Sequence, residues 1–294
     1  MKKVTTTLIN LVVVLCSTVA LGQQFKDTIT KEFKFESASN NNVFLLANVV
    51  GNITVEGYSG DKIILEAERI LHAKSNERLE KAKSEIGLGV VDHLDTIIVF
   101  VNGPCGNASA QRWVSAGGKK RNNHWNNCKY QYRYKMNFKL KVPQNQNLYL
   151  STVNEGDINV KGVRGSLDVH NVNGAIALKG ISGKINAHTI NGDVDLDYLK
   201  APNEESYYYT LNGDINAYYP KGLKASMTFK SFNGDFYTNI ERVEHRPMMV
   251  EHSASKKQGV SFKVDAKSVI TVGGGGTLLA FETFNGDVYI KEKQ

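Results

Sequence analysis

Residues 156–191 read GDINVKGVR, GSLDVHNVN, GAIALKGIS and GKINAHTIN, four units of nine residues that each begin with glycine. Every unit has apolar side chains at its third, fifth and eighth positions, as in Ile158, Val160 and Val163 of the first unit. Apolar residues two apart have the period of a β-strand with one buried face. The stretch therefore predicts short strands separated by glycine turns.

The four units form two pairs. The sequence KGV at 161–163 returns as KGI at 179–181, and His170 returns as His188, each 18 residues later. The repeat unit is therefore 18 residues, which predicts a coil of two strands in which like residues stack on like. The predicted fold is all-β, a glycine-punctuated β-solenoid or β-helix-like repeat.

The glycine turn also occurs outside this block. Asn-Gly-Asp stands at 191–193, 212–214, 233–235 and 285–287, and Gly51-Asn52 opens a similar unit. Asn and Gly tolerate positive φ, and Asp can bond its own nearby backbone. A β-hairpin uses the same turn chemistry, so the turn by itself leaves both a solenoid and a meander open. We place the main repeat block at residues 129–294.

The first 22 residues are predicted to be a secretory signal peptide. Lys2 and Lys3 give a positive start, residues 8–19 are almost wholly apolar, and small residues precede the expected cleavage before Gln23. The apolar run is shorter than the roughly 20 residues that a membrane-spanning helix needs. A lipoprotein is the alternative, but Leu15 replaces the small residue expected before the lipidated cysteine. We expect residues 23–294 to form a single β-repeat domain, exported to the periplasm or the cell surface, with no transmembrane span.

The charge of the chain is mildly basic. Removing the leader takes away two lysines and no acidic residue, which lowers the formal net charge from +7 to +5. This balance is compatible with weak attraction to polyanions and is also ordinary for an exported protein. Nucleic acid is not an expected partner.

Residues 71–128 interrupt the repeat with a predicted helix and a long loop. Residues 75–83 contain strong helix formers, with Ser75 or Asn76 as the start and apolar residues at Leu79, Ala82 and Ile86. Cys105 and Cys128 remain as an even pair after the leader is removed, which predicts one disulfide. Closing such a loop stabilises a fold by about 3 kcal/mol. Half of a metal site is the alternative, but this spacing does not supply four zinc ligands.

The loop between the cysteines holds the candidate binding residues. It concentrates cationic side chains around both tryptophans of the chain, a composition common at recognition sites. The alternative is that the tryptophans pack against the solenoid and the charges are solvated. Outward positions of the repeat, such as Asn159, Asp168, Asn186 and Asp195, are short and polar, so we expect the loop to carry recognition. The candidate residues are Arg112, Trp113, Lys119, Lys120, Arg121, His124 and Trp125.

A strand follows the loop, with apolar and basic side chains in alternation up to Pro143. Its basic face carries Lys129, Arg133, Lys135, Lys139 and Lys141. Its apolar face carries Tyr130, Tyr132, Tyr134, Met136, Phe138, Leu140 and Val142.

Two sets of side chains are candidates for metal ligands. A calcium ladder of aspartates needs an Asp in every repeat, but Ser166, Ala175 and Lys184 stand at that position in three units. His170 and His188 stack on an outward face with no further ligand evident. We expect no metal site and no cofactor. The aspartates concerned are Asp157, Asp193, Asp214, Asp235 and Asp287.

Parallel β-helices include acyltransferases and polysaccharide lyases, so we compared the repeat length and the motifs of this chain with those of enzymes. The acyltransferase helix repeats every six residues, whereas this chain repeats every nine. The chain has no Gly-x-Ser-x-Gly, no His-Glu-x-x-His, and no Lys-Ser/Thr after the glycines at 273–276. We expect that the protein is not an enzyme.

Several features together carry a family resemblance. These are Val142-Pro143 before a leucine-containing strand, the Asn-Gly-Asp turns, the glycine run at 273–276 and the closing ETFNGDVYI at 282–290. The chain resembles the bacterial putative adhesin family of β-strand repeats, a domain of unknown function. It departs from the pattern at Glu155 and in the cysteine loop.

The resemblance implies a β-solenoid-like fold in the cell envelope and transfers no catalytic or binding residue. The expected function is a structural or adhesin-like envelope scaffold. The alternative is a periplasmic binding module for an anionic glycan or a partner protein. Candidate partners are envelope glycans, lipopolysaccharide or another envelope protein.

Overall fold

The computed structural model describes residues 22–36, 39–104, 130–241, 243–246, 250–255, 259–264 and 268–294. Among the described residues up to Pro143, one helix lies among seven strands. Within the described residues no helix has the length and apolar character needed to span a membrane. The elements are β1 (Gln23–Phe33), β2 (Val43–Ala47), β3 (Ile53–Tyr58), β4 (Ile63–Ala73), α1 (Asn76–Glu85), β5 (Gly87–Asp92), β6 (Thr96–Asn102) and β7 (Tyr132–Pro143).

The rest of the described chain consists of strands alone. The central ones are β8 (Asn147–Ser151), β9 (Ile158–Lys161), β10 (Leu167–His170), β11 (Ile176–Ile181), β12 (Ile185–Asn191), β13 (Val194–Tyr198), β14 (Ser206–Asn212) and β15 (Ile215–Tyr219). The last ones are β16 (Ala225–Lys230), β17 (Phe236–Thr238), β18 (Val243–Arg246), β19 (Val250–Ser255), β20 (Gly259–Val264), β21 (Ser268–Val272), β22 (Thr277–Asn285) and β23 (Val288–Glu292). The all-β prediction with one short helix is confirmed.

Two large sheets face each other across the core. Sheet A has the order β1-β4-β7-β3-β9-β11-β13-β15-β23-β17, and sheet B has the order β18-β21-β16-β22-β14-β12-β10-β8-β2-β6-β5. A strand of sheet B, a glycine corner and the following strand of sheet A form one layer, which we call a rung. In the described chain the rungs stack in the order β2–β3, β8–β9, β10–β11, β12–β13, β14–β15, β22–β23 and β16–β17.

The register agrees with the 18-residue period of the strict block. Ile176 of β11 pairs with Ile158 on one side and with Val194 on the other, all in parallel strands. Leu167 pairs with Ile185 in sheet B in the same way. All five side chains are buried in one continuous core, as their alternation predicts. Later rungs are longer, since the corner asparagines Asn191 and Asn212 are 21 residues apart.

The N-terminal end of sheet A is antiparallel. β4 pairs with β1 on one side and with β7 on the other. Arg69 of β4 is only 12% exposed, and its guanidinium donates to both carboxylate oxygens of Asp27 on β1. The same guanidinium donates to the Lys83 carbonyl near the end of α1, which ties the helix to this cap.

Helix α1 begins where its sequence predicts. Ser75 is the N-cap, and its hydroxyl accepts a hydrogen bond from the backbone N–H of Arg78 at 3.4 Å. Leu79, Ala82 and Ile86 are buried. The helix therefore packs its apolar stripe against the cap formed by β1, β4 and β7.

Three tyrosines lie inside the solenoid near its middle. Tyr198, Tyr208 and Tyr219 are fully buried, and the Tyr198 and Tyr208 hydroxyls are 2.6 Å apart. Burial disfavours the charged phenolate and raises the pKa of all three, for Tyr198 and Tyr219 well above the usual value. These phenols therefore ionise more readily in the unfolded chain than in the folded one.

We expect this pKa difference to limit stability in alkali. Above pH 10 the unfolded chain loses protons that the folded chain keeps, so the free energy of unfolding falls as the pH rises. Tyrosinate absorbance followed together with circular dichroism should show the three phenols ionising only as the strand signal disappears. Ionisation of all 13 tyrosines while the native spectrum persists would contradict the buried placement.

Candidate recognition surfaces

The glycine corners are joined by a ladder of asparagine amides. In each corner from Asn173 onward the Asn Nδ2 donates to the Oδ1 of the corner asparagine in the rung before it, at 2.7 to 2.9 Å. These bonds hold six rungs, from β8–β9 to β16–β17, in one register, because a slip would break them. The ladder runs through Asn154, Asn173, Asn191, Asn212, Asn285 and Asn233.

The corner aspartates have a similar structural role. The Oδ1 atoms of Asp157, Asp193, Asp214 and Asp287 each accept a backbone N–H from the next rung, at 2.8 to 2.9 Å. One oxygen of each carboxylate is therefore engaged in joining rungs. Among the described residues, no group of three or more His, Cys, Asp or Glu is arranged to hold a metal ion.

A third set of hydrogen bonds is made inside the corner. Its donor is the side chain two residues before the corner asparagine. Thr189 and Thr210 donate their hydroxyls to the carbonyls of Gly174 and Gly192 at 2.9 and 2.8 Å. Thr283 does the same to Gly213 at 3.2 Å. The corner motif is therefore Thr-x-Asn-Gly-Asp, with Asn or Ser replacing Thr in some rungs, and its polar groups mostly bond to neighbouring rungs.

The outer face of sheet B carries a stack of rings. Tyr149, His170, His188 and Tyr209 lie on four neighbouring strands, with ring centroids 5.2, 5.8 and 4.5 Å apart in that order. Tyr207 stands beside Tyr209, and its hydroxyl donates to Glu282 at 2.9 Å. We call these five residues the aromatic face. Four of them are half-buried and Tyr207 is exposed, so together they form a partly accessible row of rings on the outer side of sheet B.

The aromatic face corrects one expectation from the sequence. We expected the outward positions of the repeat to be short and polar, and Asn159, Asp168, Asn186 and Asp195 do point outward. The tyrosines of this face lie on β8 and β14, outside the four strict units, so the repeat alignment did not include them. The stacking of His170 on His188 is confirmed.

His188 is the half-buried centre of this stack. Burial, and then the nearby charge of His170, lower the pKa of His188 below its usual value. The unfolded chain therefore binds a proton at a higher pH than the folded chain does. Stability that is present above about pH 6.5 is expected to decline as the pH falls towards the pKa of His188 in the folded state.

A variant separates this effect from general acid destabilisation. His188→Gln should reduce the difference in melting temperature between pH 7.5 and pH 5. His72→Gln is the control, since His72 is exposed on β4 away from the stack. An unchanged pH difference in His188→Gln would show that the stack does not titrate as proposed.

An apolar ridge runs beside the aromatic face, along the corner. Its members precede the corner asparagines, and exposure increases towards the last rungs, where Phe284 is 43% and Phe232 is 74% exposed. These two rings are stacked with centroids 4.8 Å apart. The first four members are half-buried and the last two are exposed, and exposed apolar side chains that lie together are typical of a contact surface. The corner ridge consists of Val153, Val172, Ile190, Leu211, Phe284 and Phe232.

The outer face of sheet A has a different character. Lys161 pairs with Lys179 across β9 and β11, and Lys139 and Lys141 project from β7 two strands away. Glu56 lies between Lys141 and Lys161. We call Lys139, Lys141, Lys161 and Lys179 the lysine face.

The best-formed depressions in the described part of the chain are small. One, of about 250 Å³, lies between β1, β4, β7 and β3 and includes Asn52 and Glu68. The other, of about 290 Å³, is lined by Tyr237, Tyr289 and Lys291 among others. Both are below the usual size of a small-molecule pocket, about 300 to 1,000 Å³.

The predicted loop site lies outside the described residues. This holds for Arg112, Trp113, Lys119, Lys120, Arg121, His124 and Trp125, and for both cysteines of the predicted disulfide. The loop therefore stays a prediction. Mass spectrometry of unreduced peptides should show Cys105 linked to Cys128, and free thiols at both positions would reopen the metal alternative.

The family of the chain follows from its sequence match. Residues 119–268, just over half of the chain, match the model described as Toastrack DUF4097. The chain belongs to the Toastrack family. The resemblance drawn from the corner motifs is thereby confirmed, and the β-solenoid-like architecture is that of a Toastrack domain. No curated protein matches this Toastrack chain.

Solved structures similar to this Toastrack chain come from several bacteria. A "putative cell adhesion protein" from Clostridium sporogenes has 12% identity and a TM-score of 0.43, covering 92% of this chain and 100% of the other. A "putative adhesin" from Bacteroides fragilis has 14% identity and a TM-score of 0.33, covering 91% and 97%. A "putative lipid binding protein" from Parabacteroides distasonis has 11% identity and a TM-score of 0.28, with the same coverage.

Proposed function

We propose that this Toastrack protein is an exported, non-enzymatic component of the cell envelope that acts as an adhesin-like scaffold. The aromatic face, with the corner ridge beside it, is the observation that carries the proposal. Tyrosine and other aromatic side chains are enriched where proteins bind each other. The two features together offer an extended contact surface of the kind that adhesion needs.

Rigidity of the support favours the same function. Strands β8, β10, β12 and β14 hold the five side chains in one parallel register, and their inward residues are packed in the core. Groups fixed before binding lose less conformational entropy when a partner docks. The N-terminal leader predicted from the sequence supports placement outside the cytoplasm.

The test combines location with binding. Fractionation and protease treatment of intact cells should find the mature chain outside the cytoplasm. Purified protein should bind isolated cell-envelope material, and Tyr207→Ser/Tyr209→Ser should weaken this binding while circular dichroism stays native. The matched control is Lys161→Ser/Lys179→Ser, which alters the lysine face alone.

The cysteine loop is tested in the same assay. Deletion of residues 111–126 that leaves the fold intact and abolishes binding would place recognition in the loop and contradict the role of the aromatic face. Binding lost only in the double tyrosine variant supports the proposal. A double tyrosine variant that folds natively and binds as well as the wild type contradicts the proposal.

The lysine face favours a second candidate, a periplasmic binding module for an anionic glycan. The four lysines share the outer side of sheet A with Glu56, Glu66 and Asp197, which lie directly across from them on neighbouring strands. The attraction of a polyanion to such a surface is weak, and it falls further as salt screens the charges. Lipopolysaccharide should then bind at low salt and release at high salt, and Lys161→Ser/Lys179→Ser should reduce the affinity. Binding that is insensitive to both salt and these substitutions rules this candidate out.

A further inference from the structure

The rung β22–β23 is out of chain order. It follows β16 and β17 in sequence, yet β22 lies between β14 and β16 in sheet B. In sheet A, β23 lies between β15 and β17 in the same way. A later segment of the chain is therefore inserted between two earlier rungs, and it pairs in parallel with both.

The contacts on the two sides of the inserted rung are alike. Asn285 donates to Asn212 at 2.7 Å and accepts from Asn233 at 2.8 Å. Asp287 donates its backbone N–H to Asp214 and accepts one from Asp235, both at 2.8 Å. The three corners read TLNGD, TFNGD and SFNGD, so the contacts recognise a rung type and not one particular copy of it.

A glycine run carries the chain into this position. Val272 of β21 and Thr277 of β22 both pair with Ala225, so the chain crosses over the start of β16 between them. Residues 273–275 have φ values of 61°, 86° and 91°. A Cβ at Gly273 would lie 2.5 Å from the Leu223 carbonyl oxygen, and one at Gly276 would lie 2.7 Å from that of Lys224. The crossover is thus a four-glycine segment with the backbone freedom of a hinge.

The position that β22–β23 occupies between its two neighbouring rungs, which we call the slot, is unfavourable to leave empty. Leu279, Phe281, Val288 and Ile290 of the inserted rung are at most 2% exposed. The Phe281 ring packs against Tyr208 and Phe229, with centroids 4.8 and 5.3 Å away. Vacating the slot exposes these side chains and their neighbours on both sides to water, which is unfavourable because the apolar surface loses its burial. The slot must be refilled, and the segment that matches all of its contacts is the same rung of a second copy.

We propose that β22–β23 is an exchangeable rung, and that two copies of this chain form a reciprocal dimer by inserting it into each other. The glycine run at 273–276 acts as the hinge. Each copy then keeps the contacts that β22–β23 makes with its two neighbouring rungs, and only the contacts of the hinge itself change. This self-association goes beyond the proposed scaffold function and does not depend on it.

The experiment uses a disulfide that reports which chain supplies the rung. Thr228 and Ala280 are directly paired on β16 and β22, both on the half-exposed outer face of sheet B. In the full chain, Thr228→Cys/Ala280→Cys is oxidised either before or after partial unfolding in urea and refolding at high protein concentration. Light scattering and non-reducing gels then report association and cross-linking.

Oxidation before unfolding should form the disulfide within one chain, which holds β22–β23 in its own chain and leaves a monomer after refolding. Oxidation after refolding should give a covalent dimer that reduction dissolves. The matched control, Ala177→Cys/Asp195→Cys, pairs the same way between β11 and β13, which are not exchanged, and should cross-link within one chain in both orders.

Three outcomes would overturn the proposal. The first is that the protein stays monomeric after refolding. The second is a dimer in which the Thr228→Cys/Ala280→Cys cross-link remains within each chain, because association would then use another surface. The third is that the variant locked before unfolding dimerises as readily as the reduced one.

Discussion

Gly192→Ala is expected to lower the free energy of unfolding by about 3 to 5 kcal/mol, a large effect for a single methyl group. The added Cβ would lie 2.3 Å from the Gly174 carbonyl oxygen of the neighbouring rung. The backbone cannot easily retreat, because the Gly192 N–H is bonded to Asn212 on the other side at 2.9 Å. A φ of 151° at Gly192 adds strain for any residue with a side chain.

Chemical denaturation measures this prediction. Gly87→Ala is the control, because a Cβ at Gly87 meets nothing within 4 Å. It should change stability by no more than about 0.5 kcal/mol. If Gly192→Ala stays within about 1 kcal/mol of the wild type, the rungs do not approach each other as closely as the corner requires.

Ile176→Asp should prevent folding. Ile176 is fully buried between Ile158 and Val194, so the new carboxylate would be a buried charge without a partner. Such a charge costs several kcal/mol, and the lost apolar burial adds about 1.5 to 3 kcal/mol. The total is comparable to the whole stability of a typical domain, about 5 to 15 kcal/mol.

Ile176→Ala keeps the measurement possible if the aspartate variant is insoluble. It should fold and lose about 2 to 5 kcal/mol through the cavity that it leaves. Asn159→Asp is the matched control, since Asn159 is exposed on the outer side of the adjacent strand β9. A soluble, native-like Ile176→Asp protein would contradict the alignment of the repeat.

The core of the strict block could be predicted because its information is local. The alternation of apolar residues and the spacing of the glycines predict that the side chains of Ile158, Leu167 and Ile185 point inward. The start of α1 could be predicted for the same reason, since an N-cap and a helical stripe are adjacent in sequence.

Non-local order could not be predicted in this way. The corners at 212–214, 233–235 and 285–287 have the same sequence, so their local sequence does not indicate which of the three rungs lies between the other two. The run Tyr207-Tyr208-Tyr209 poses a similar problem, since alternation requires one face to be buried but does not say which tyrosine lies on it. The structure places Tyr208 inside and the other two on the aromatic face. The cysteine loop stays a prediction for a different reason, since it lies outside the described residues.

The two edges of the solenoid differ in how much change they tolerate. At the corner edge, amide, carboxylate and carbonyl groups of successive rungs are bonded in rows, so an added residue is tolerated only if these groups keep their positions. Glu155 is such an added residue: it takes a φ of 53°, and Asn154 and Asp157 on either side of it keep their hydrogen bonds to the next rung. The opposite edge holds connections such as residues 199–205, which are mostly exposed and make later coils longer than 18 residues. A chain built in this way can gain an epitope, a cleavage site or a whole binding module on one edge, while its other edge keeps the stack in register.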